Sequence, residues 1–322
     1  MHVPAEAGPV LSRTADSLFW LSRYVERAEN TARILEAAYR LATLPAAYGG
    51  HTNEWESAVA AAGSLDAFDA AYSEATAENV IEFLAFSETN PSSIRSCIDI
   101  ARQNARSVRV ALTVDMWDAI NGAWLELQEF KPSEIVIEEL PGFLGWVKNA
   151  SLRFDGSALR TMLRNDAYRF SQLGACIERA DSTARILDVK YHVLLPHDAP
   201  VGGGLDYAQW SSILRAVSAV VSYHWIYRES LRPWLIADLL ILRKEMPRSL
   251  AACQFAMTRH LDAIAEQYGR QGESQRMARA MHARLSNSRI EDIFPAGLHE
   301  FLQDFIAENN RLGSAIAEQY LV

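Results

Sequence analysis

Apolar side chains recur every three or four residues along most of this chain. From Leu18 they fall at Leu21, Val25, Ala28, Ala32, Leu35 and Tyr39, the spacing that lines one face of a helix with 3.6 residues per turn. No Gly or Pro interrupts the run between Ser12 or Thr14, either of which can cap it, and Leu44-Pro45. It predicts one amphipathic helix of about 30 residues. Tyr48-Gly49-Gly50 reads as a loop, Thr52 or Asn53 as the opening of a short helix carrying Trp55, and Thr76 to Glu88 as a third helix with Val80, Phe83 and Leu84 on its core side. Asn90-Pro91-Ser92 opens the next, because Pro suits a first helical turn, and Ile94, Cys97, Ile98, Ala101 and Ala105 form its stripe. The stretch from Val110 to Val114, with β-branched Val110, Thr113 and Val114, marks a kink before a helix with Met116, Trp117, Ile120 and Trp124, and 133–153 reads as helical with a break at Pro141-Gly142. Sustained alternation with period two is missing, so the fold class is all-α with little or no sheet.

The long helix occurs twice. Trp20–Tyr39 set against Gln172–Tyr191 without a gap shares ten residues in twenty, where unrelated chains of ordinary composition share about one or two. Phe154-Asp155-Gly156-Ser157 is the midpoint, Asn165 or Asp166 caps the second long helix, and that helix runs to about Leu195. Pro196 to Asp206, with Gly202-Gly203-Gly204, answers to the loop at Pro45–His51. Trp55, Tyr72 and Glu74 match Trp210, Tyr227 and Glu229, and Leu84, Pro91, Ser93 and Cys97 match Leu240, Pro247, Ser249 and Cys253. The offset drifts only across predicted loops, as two copies of one helical unit require. Helices are also expected at Glu273–Ser288 and Gly297–Tyr320, without a residue match. The architecture read from this is two tandem pseudosymmetric helical repeats, 1–156 and 157–322, packed into one helical-bundle body.

Both copies carry Glu-Arg-Ala, an acid, and then Thr-Ala-Arg-Ile-Leu: Glu26, Arg27 and Glu29 in the first, Glu178, Arg179 and Asp181 in the second. Successive helical positions turn by about 100°, so Glu26, Glu29 and Arg33 flank one side of the seam while Arg23, Arg27 and Asn30 project away from it. Glu29–Arg33 and Asp181–Arg185 are i,i+4 pairs in the favourable order. Exposure on a helix surface does not explain why Glu26-Arg27 recurs as Glu178-Arg179. Three arrangements do: a buried Glu/Arg network tying the long helices together; a polar pocket in which guanidiniums grip an anionic or peptide-like ligand; or a two-metal carboxylate site on facing helices. The candidate ligand- or partner-binding residues are therefore Arg23, Glu26, Arg27, Asn30, Arg33, Glu178, Arg179, Asp181 and Arg185.

Composition removes several other classes. A formal charge of −9 argues against nucleic acid as a partner. No apolar run is long enough to span a bilayer and the first residues lack the pattern of a signal peptide, so a cytoplasmic location away from membranes is expected. Three cysteines, Cys97, Cys176 and Cys253, are too few for a disulfide framework, and Cys97 and Cys253 sit on apolar stripes as small core residues. His51, His192, His197, His224, His260, His282 and His299 show no metal-ligand spacing, and the glycine triplet lacks the Lys-Ser/Thr of a phosphate loop. Nothing in these residues calls for a cofactor. Trp55 and Trp210 fit as core anchors or as the walls of a groove between the halves.

The stretch Leu11-Ser12-Arg13-Thr14-Ala15-Asp16, continuing from Leu18 through Arg33, resembles the bacterial alpha-E family, an α-helical domain named for a Glu-Arg motif. Thr161-Met162, Leu173-Gly174 and Glu178-Arg179-Ala180-Asp181 carry the resemblance to the second half, with departures at Ser22, Ala175 and Cys176, where Gly, Arg and a larger apolar residue are expected. The resemblance implies partners rather than chemistry. Members tend to accompany a circularly permuted ATP-grasp ligase, a transglutaminase-like peptidase and in some cases a proteasome-related peptidase. It thus implies an accessory or binding role in making or processing an amide-linked peptide. The alternatives are an enzyme acting on a peptide or amide in a cleft between the repeats, or a purely structural or interaction scaffold. The chain itself has no ATP-grasp or protease motif.

Overall fold

The structure is a computed structural model describing residues 10–43, 54–132, 135, 137–192 and 204–321, and among these every regular element is helical. The loop expected at Tyr48-Gly49-Gly50, the helix starts at Thr52 or Asn53, Gly202-Gly203, His51 and His197 lie outside the described residues. A long helix, α1 (Ser12–Ala42), is followed by the short α2 (Glu54–Ala61), α3 (Leu65–Asp69) and α4 (Ala77–Ile81), and then by α5 (Ile94–Ser107), α6 (Val114–Leu127) and α7 (Leu140–Thr161). A second long helix, α8 (Asp166–His192), precedes α9 (Gly204–Ala216), α10 (Val220–Tyr227) and α11 (Pro233–Ile241), and α12 (Leu250–Tyr268), α13 (Glu273–Asn287) and α14 (Ile290–Ile316) complete the chain.

The two long helices pack most extensively on each other. Matching stretches of the two meet: Phe19 lies over Gly174 and Ser22 bonds Ser171 at 2.7 Å near their starts, Arg27 bonds Glu178 further along, and Asn30 accepts from Ser182 beyond that. The helices are therefore parallel and in register. Gly174 is what allows the approach, since a Cβ there would lie 2.1 Å from the carbonyl oxygen of Phe19. Around this pair, α5 and α7 cover α1, with α6 behind them, and α12 and α14 cover α8, with α13 packed on both. The short α2 and α9 each touch both long helices. As a result α1 is covered on nearly all sides, and Leu18, Phe19, Leu21, Ala32 and Leu35 share its interior with Glu26, Glu29, Asn30, Thr31 and Arg33.

Local boundaries follow capping chemistry. Thr76, Ser93 and Ser249 each accept a bond from the backbone N–H three residues on and start α4, α5 and α12, and Asn165 does the same for α8. Neither Ser12 nor Thr14 caps α1; Leu11 holds that position, and Ser12 is already helical. The third helix expected through Glu88 turns into a wide π-helical segment at Glu82–Phe86 after α4. Pro91 precedes the cap of α5 instead of entering its first turn. At Val110–Val114 the chain breaks, with a 3-10 turn at Arg109–Ala111, rather than kinking. The midpoint stretch Phe154–Ser157 is helical: it lies inside α7, which ends at Thr161, and the chain turns at 162–165. Gly156 is helical in this setting because Phe154 and Ala158 on either side are buried against the core. The helix that was expected at Gly297–Tyr320 starts earlier, at Ile290, and bends at Gly297, whose φ of 123° no side-chain-bearing residue adopts easily.

Replacing Gly174 by Ala is expected to force the two long helices apart and to cost about 1–3 kcal/mol, the range for overpacking a close contact. Urea denaturation reads it as a lower midpoint, and an unchanged midpoint would contradict the contact.

Candidate functional site

The repeated Glu-Arg pair meets itself across the α1–α8 contact. Arg27 donates from Nε to Glu178 at 2.5 Å and from Nη2 to the other oxygen at 3.0 Å, a bidentate grip. In return Arg179 donates from Nε and Nη2 to Glu26 at 3.1 and 2.6 Å. Each arginine of the motif thus holds the glutamate of the opposite helix. Arg27 and Arg23 were expected to project away from the seam, and the correction is geometric: α1 has a second packed face, and α8 occupies it.

Each glutamate takes a second guanidinium, and the two come from different places. Arg23 donates to Glu178 at 3.0 Å, with its guanidinium 4.7 Å from the ring centre of Trp20. The second-copy position matching Arg23 is Ala175, so Glu26 is served instead by Arg248, at 2.8 Å. Arg248 also reaches Glu29, which holds Arg33 at 2.6 Å and accepts from Ser151 at 2.7 Å. Asp155 joins through Arg179 at 3.0 Å. On the other side Asp181 pairs with Arg185 at 2.6 Å, while its Oδ1 is buried with no donor among the described residues. The cause is visible in the sequence: the residue matching Arg248 is Ser92, too short to reach.

The rest of the motif is also engaged. Thr31 bonds the carbonyl of Ser92 at 3.4 Å and Thr183 that of Arg248 at 2.7 Å, pinning the segments that lead into α5 and α12. Arg33 crosses to the end of α9, bonding Ala216 O at 2.6 Å and Ser218 Oγ at 3.0 Å, where Ser218 is held at a positive φ of 58°. The guanidinium of Arg185 lies at the matching turn after α2, against Gly63, whose φ is 68°. Ala28, Ala32, Ala180 and Ala184 are buried.

Electrostatics follow from these pairings. Burial alone would raise the carboxyl of Glu26, but Arg179 and Arg248 override it and bring it down to about 2. Glu178 is likewise lowered, with Arg27 and then Arg23 outweighing burial. Arg179 is raised by Glu26, and Arg27 is raised by Glu178 against the pull of burial. Asp155 goes the other way, to about 6, because burial and the neighbouring charges of Glu26 and Glu29 outweigh Arg179. Asp181 is raised by burial as well. Burial pushes the thiols of Cys97 and Cys176 up to about 12 and 11, and raises Cys253. They are core residues, with Cys97 and Cys253 each directed at the carbonyl of Pro91 or Pro247.

All nine candidate residues are therefore brought together at one interface, each paired within the protein. Arg248, Asp155 and Ser151 complete the network from outside the Glu-Arg motif, so its spacing does not reveal them. Among the described residues no three His, Cys, Asp or Glu side chains are placed to hold a metal ion. The carboxylates that a two-metal site would use are occupied by guanidiniums. Trp55 and Trp210 are buried core anchors. No helix among the described residues is long and apolar enough to cross a membrane. The model of the Alpha-E family, a predicted alpha-helical domain with a conserved ER motif, matches residues 10–321, and the chain belongs to that family. No curated protein and no solved structure matches.

Two pH effects of opposite sign follow. Glu26 ionises more readily folded than in its ordinary state at 4.5, so its stabilisation is complete above that pH and disappears as the pH falls towards 2. Asp155 binds its proton more tightly folded, so stability falls as the pH rises from 3.8 through about 6. Asp155→Asn is expected to resist urea better than the parent at pH 7 and to match it near pH 4, the region where the parent is protonated. Equal midpoints at pH 7 would contradict the crowding of carboxylates around Arg179.

Proposed function

We propose that this Alpha-E protein is an accessory binding protein of a bacterial peptide-modification system, working with a circularly permuted ATP-grasp amide ligase and a transglutaminase-like peptidase, with a proteasome-related peptidase as a further partner in some settings. Its two halves, divided near the middle of the chain, are read as copies of one helical unit packed around α1 and α8, and its Glu-Arg motif as the frame that fixes them. One observation carries this reading: each of the four motif residues is gripped by the opposite helix, so the motif's binding capacity is spent inside the protein. Placement in a cytoplasmic pathway belongs to the same proposal.

A frame leaves recognition to the outer helices. Val221, Trp225 and Trp234 stand out from α10 and α11, with Trp225 74% exposed. Exposed tryptophan is costly in a monomer and common where a partner docks. The corresponding end of the first half, around Tyr72, shows no such tryptophan. The α10–α11 corner is thus assigned to the ligase.

Co-purification with the neighbouring ATP-grasp protein separates frame from docking surface. Trp225→Ala is expected to keep the parent's melting temperature and lose ligase capture by about tenfold or more. Arg27→Ala and Arg179→Ala are expected to lower stability by about 3–5 kcal/mol and to lose capture only as far as they unfold. Full capture by Trp225→Ala would reject the docking surface. Stable, fully folded Arg27→Ala and Arg179→Ala proteins that no longer support the ligase would instead make the motif itself the binding site.

A further inference from the structure

Tyr72 and Tyr227 occupy matching places in the repeat, and both donate their hydroxyl to a carboxylate, Tyr72 to Glu82 and Tyr227 to Asp238. In the second half a guanidinium completes the arrangement: Arg243 donates to Asp238 at 2.6 Å, with its own carbon 5.6 Å from the ring centre of Tyr227. In the first half Ser87 holds the place of Arg243. The correspondence of these segments does not rest on residue identity alone. Downstream of both, Ser93 and Ser249 cap α5 and α12, and Cys97 and Cys253 point to the carbonyls of Pro91 and Pro247. Without an arginine at position 87, Glu82 has no ion-pair partner among the described residues. It faces a groove of about 700 Å³, well within the size of ordinary ligand sites. Ile81, Phe86 and Ile137 give the groove an apolar wall, and Glu78 stands at its rim.

We infer that this groove binds the guanidinium of an arginine side chain on an apolar peptide, with Glu82 and Tyr72 holding the cation where Arg243 is held in the other half. The second half supplies the precedent within the same chain: a Tyr–carboxylate pair in this setting takes a guanidinium over the tyrosine ring, combining a charge-assisted bond with a cation–π contact. The groove is larger than one side chain needs, and its Ile and Phe lining has no use for a free polar cation. A short peptide with apolar residues flanking the arginine uses both features. This site is separate from the Glu-Arg frame and from the α10–α11 corner, so it stands whether or not the ligase docks there.

The test is isothermal titration of the full chain with N-acetyl-Ile-Arg-Ile-amide, its citrulline analogue of the same shape and no charge, and arginine amide alone. The arginine tripeptide is expected to bind, with the citrulline analogue and arginine amide each weaker by about tenfold or more. Glu82→Gln keeps an acceptor for Tyr72 and is expected to lower affinity for the arginine tripeptide by about the same factor. Ser87→Arg, checked for folding by circular dichroism, supplies its own guanidinium and is expected to bind nothing, whereas Ser87→Ala binds as the parent does. Failure of the arginine tripeptide to bind, equal binding of the citrulline analogue, or parental affinity in folded Ser87→Arg would each overturn the site. Arginine amide binding as tightly as the tripeptide would overturn its assignment to peptides.

Discussion

Everything in this protein is arranged around two glutamates buried between two parallel helices. A carboxylate taken out of water is stable as an anion only if cations and hydrogen bonds replace the solvent. Here each of Glu26 and Glu178 is met by two guanidiniums, one from the motif arginine of the opposite helix and one recruited from elsewhere. Arginine suits the task because its planar fork satisfies both oxygens of a carboxylate and stays charged under burial. The consequence is geometric. The bidentate Arg27–Glu178 pair and the two bonds from Arg179 to one oxygen of Glu26 fix the axial register of α1 against α8, which apolar packing alone would leave free to slide.

The register then dictates the rest. With Arg27 opposite Glu178, Phe19 falls over Gly174 and Asn30 falls beside Ser182, so the helices approach closely along their length. Thr31 and Thr183 hold the leads into α5 and α12, and Arg33 closes the turn after α9. Local charge, helix register and the placement of the outer helices are thus links of one chain of causes. The same density of charge has a cost in Asp155, which shares Arg179 with Glu26 and is held among carboxylates. It also leaves Asp181 short of a donor where Ser92 stands in the place of an arginine.

Much of this is legible in the sequence. The stripe of Leu18, Leu21 and Leu35 predicts the long helix, Asn165 caps α8 as its residue type suggests, and the recurrence of Glu-Arg points to one constellation, which is where the nine candidate residues meet. What failed did so for stated reasons. A single apolar stripe puts Arg23, Arg27 and Asn30 away from the seam of α1, yet that helix is buried on several faces and the side away from the stripe meets α8. Asp155-Gly156-Ser157, at the midpoint of the chain, has the composition of a turn, but Phe154 and Ala158 are buried and the segment is part of α7. Arg248 escaped notice because its contribution depends on a tertiary approach from more than two hundred residues away, and no local pattern records that.

The central claim is that the Glu-Arg motif is a mutual clamp, and a double-mutant cycle on Arg27 and Glu178 addresses it most directly. Stability is measured by urea denaturation for Arg27→Ala, Glu178→Ala and the double variant. A clamp predicts that each single change is costly, because it leaves a buried charge unpaired, and that the second change adds little, giving a coupling of about 1.5 kcal/mol or more. Costs that add to within about 0.5 kcal/mol would mean that the two side chains do not depend on each other, and the account would fail.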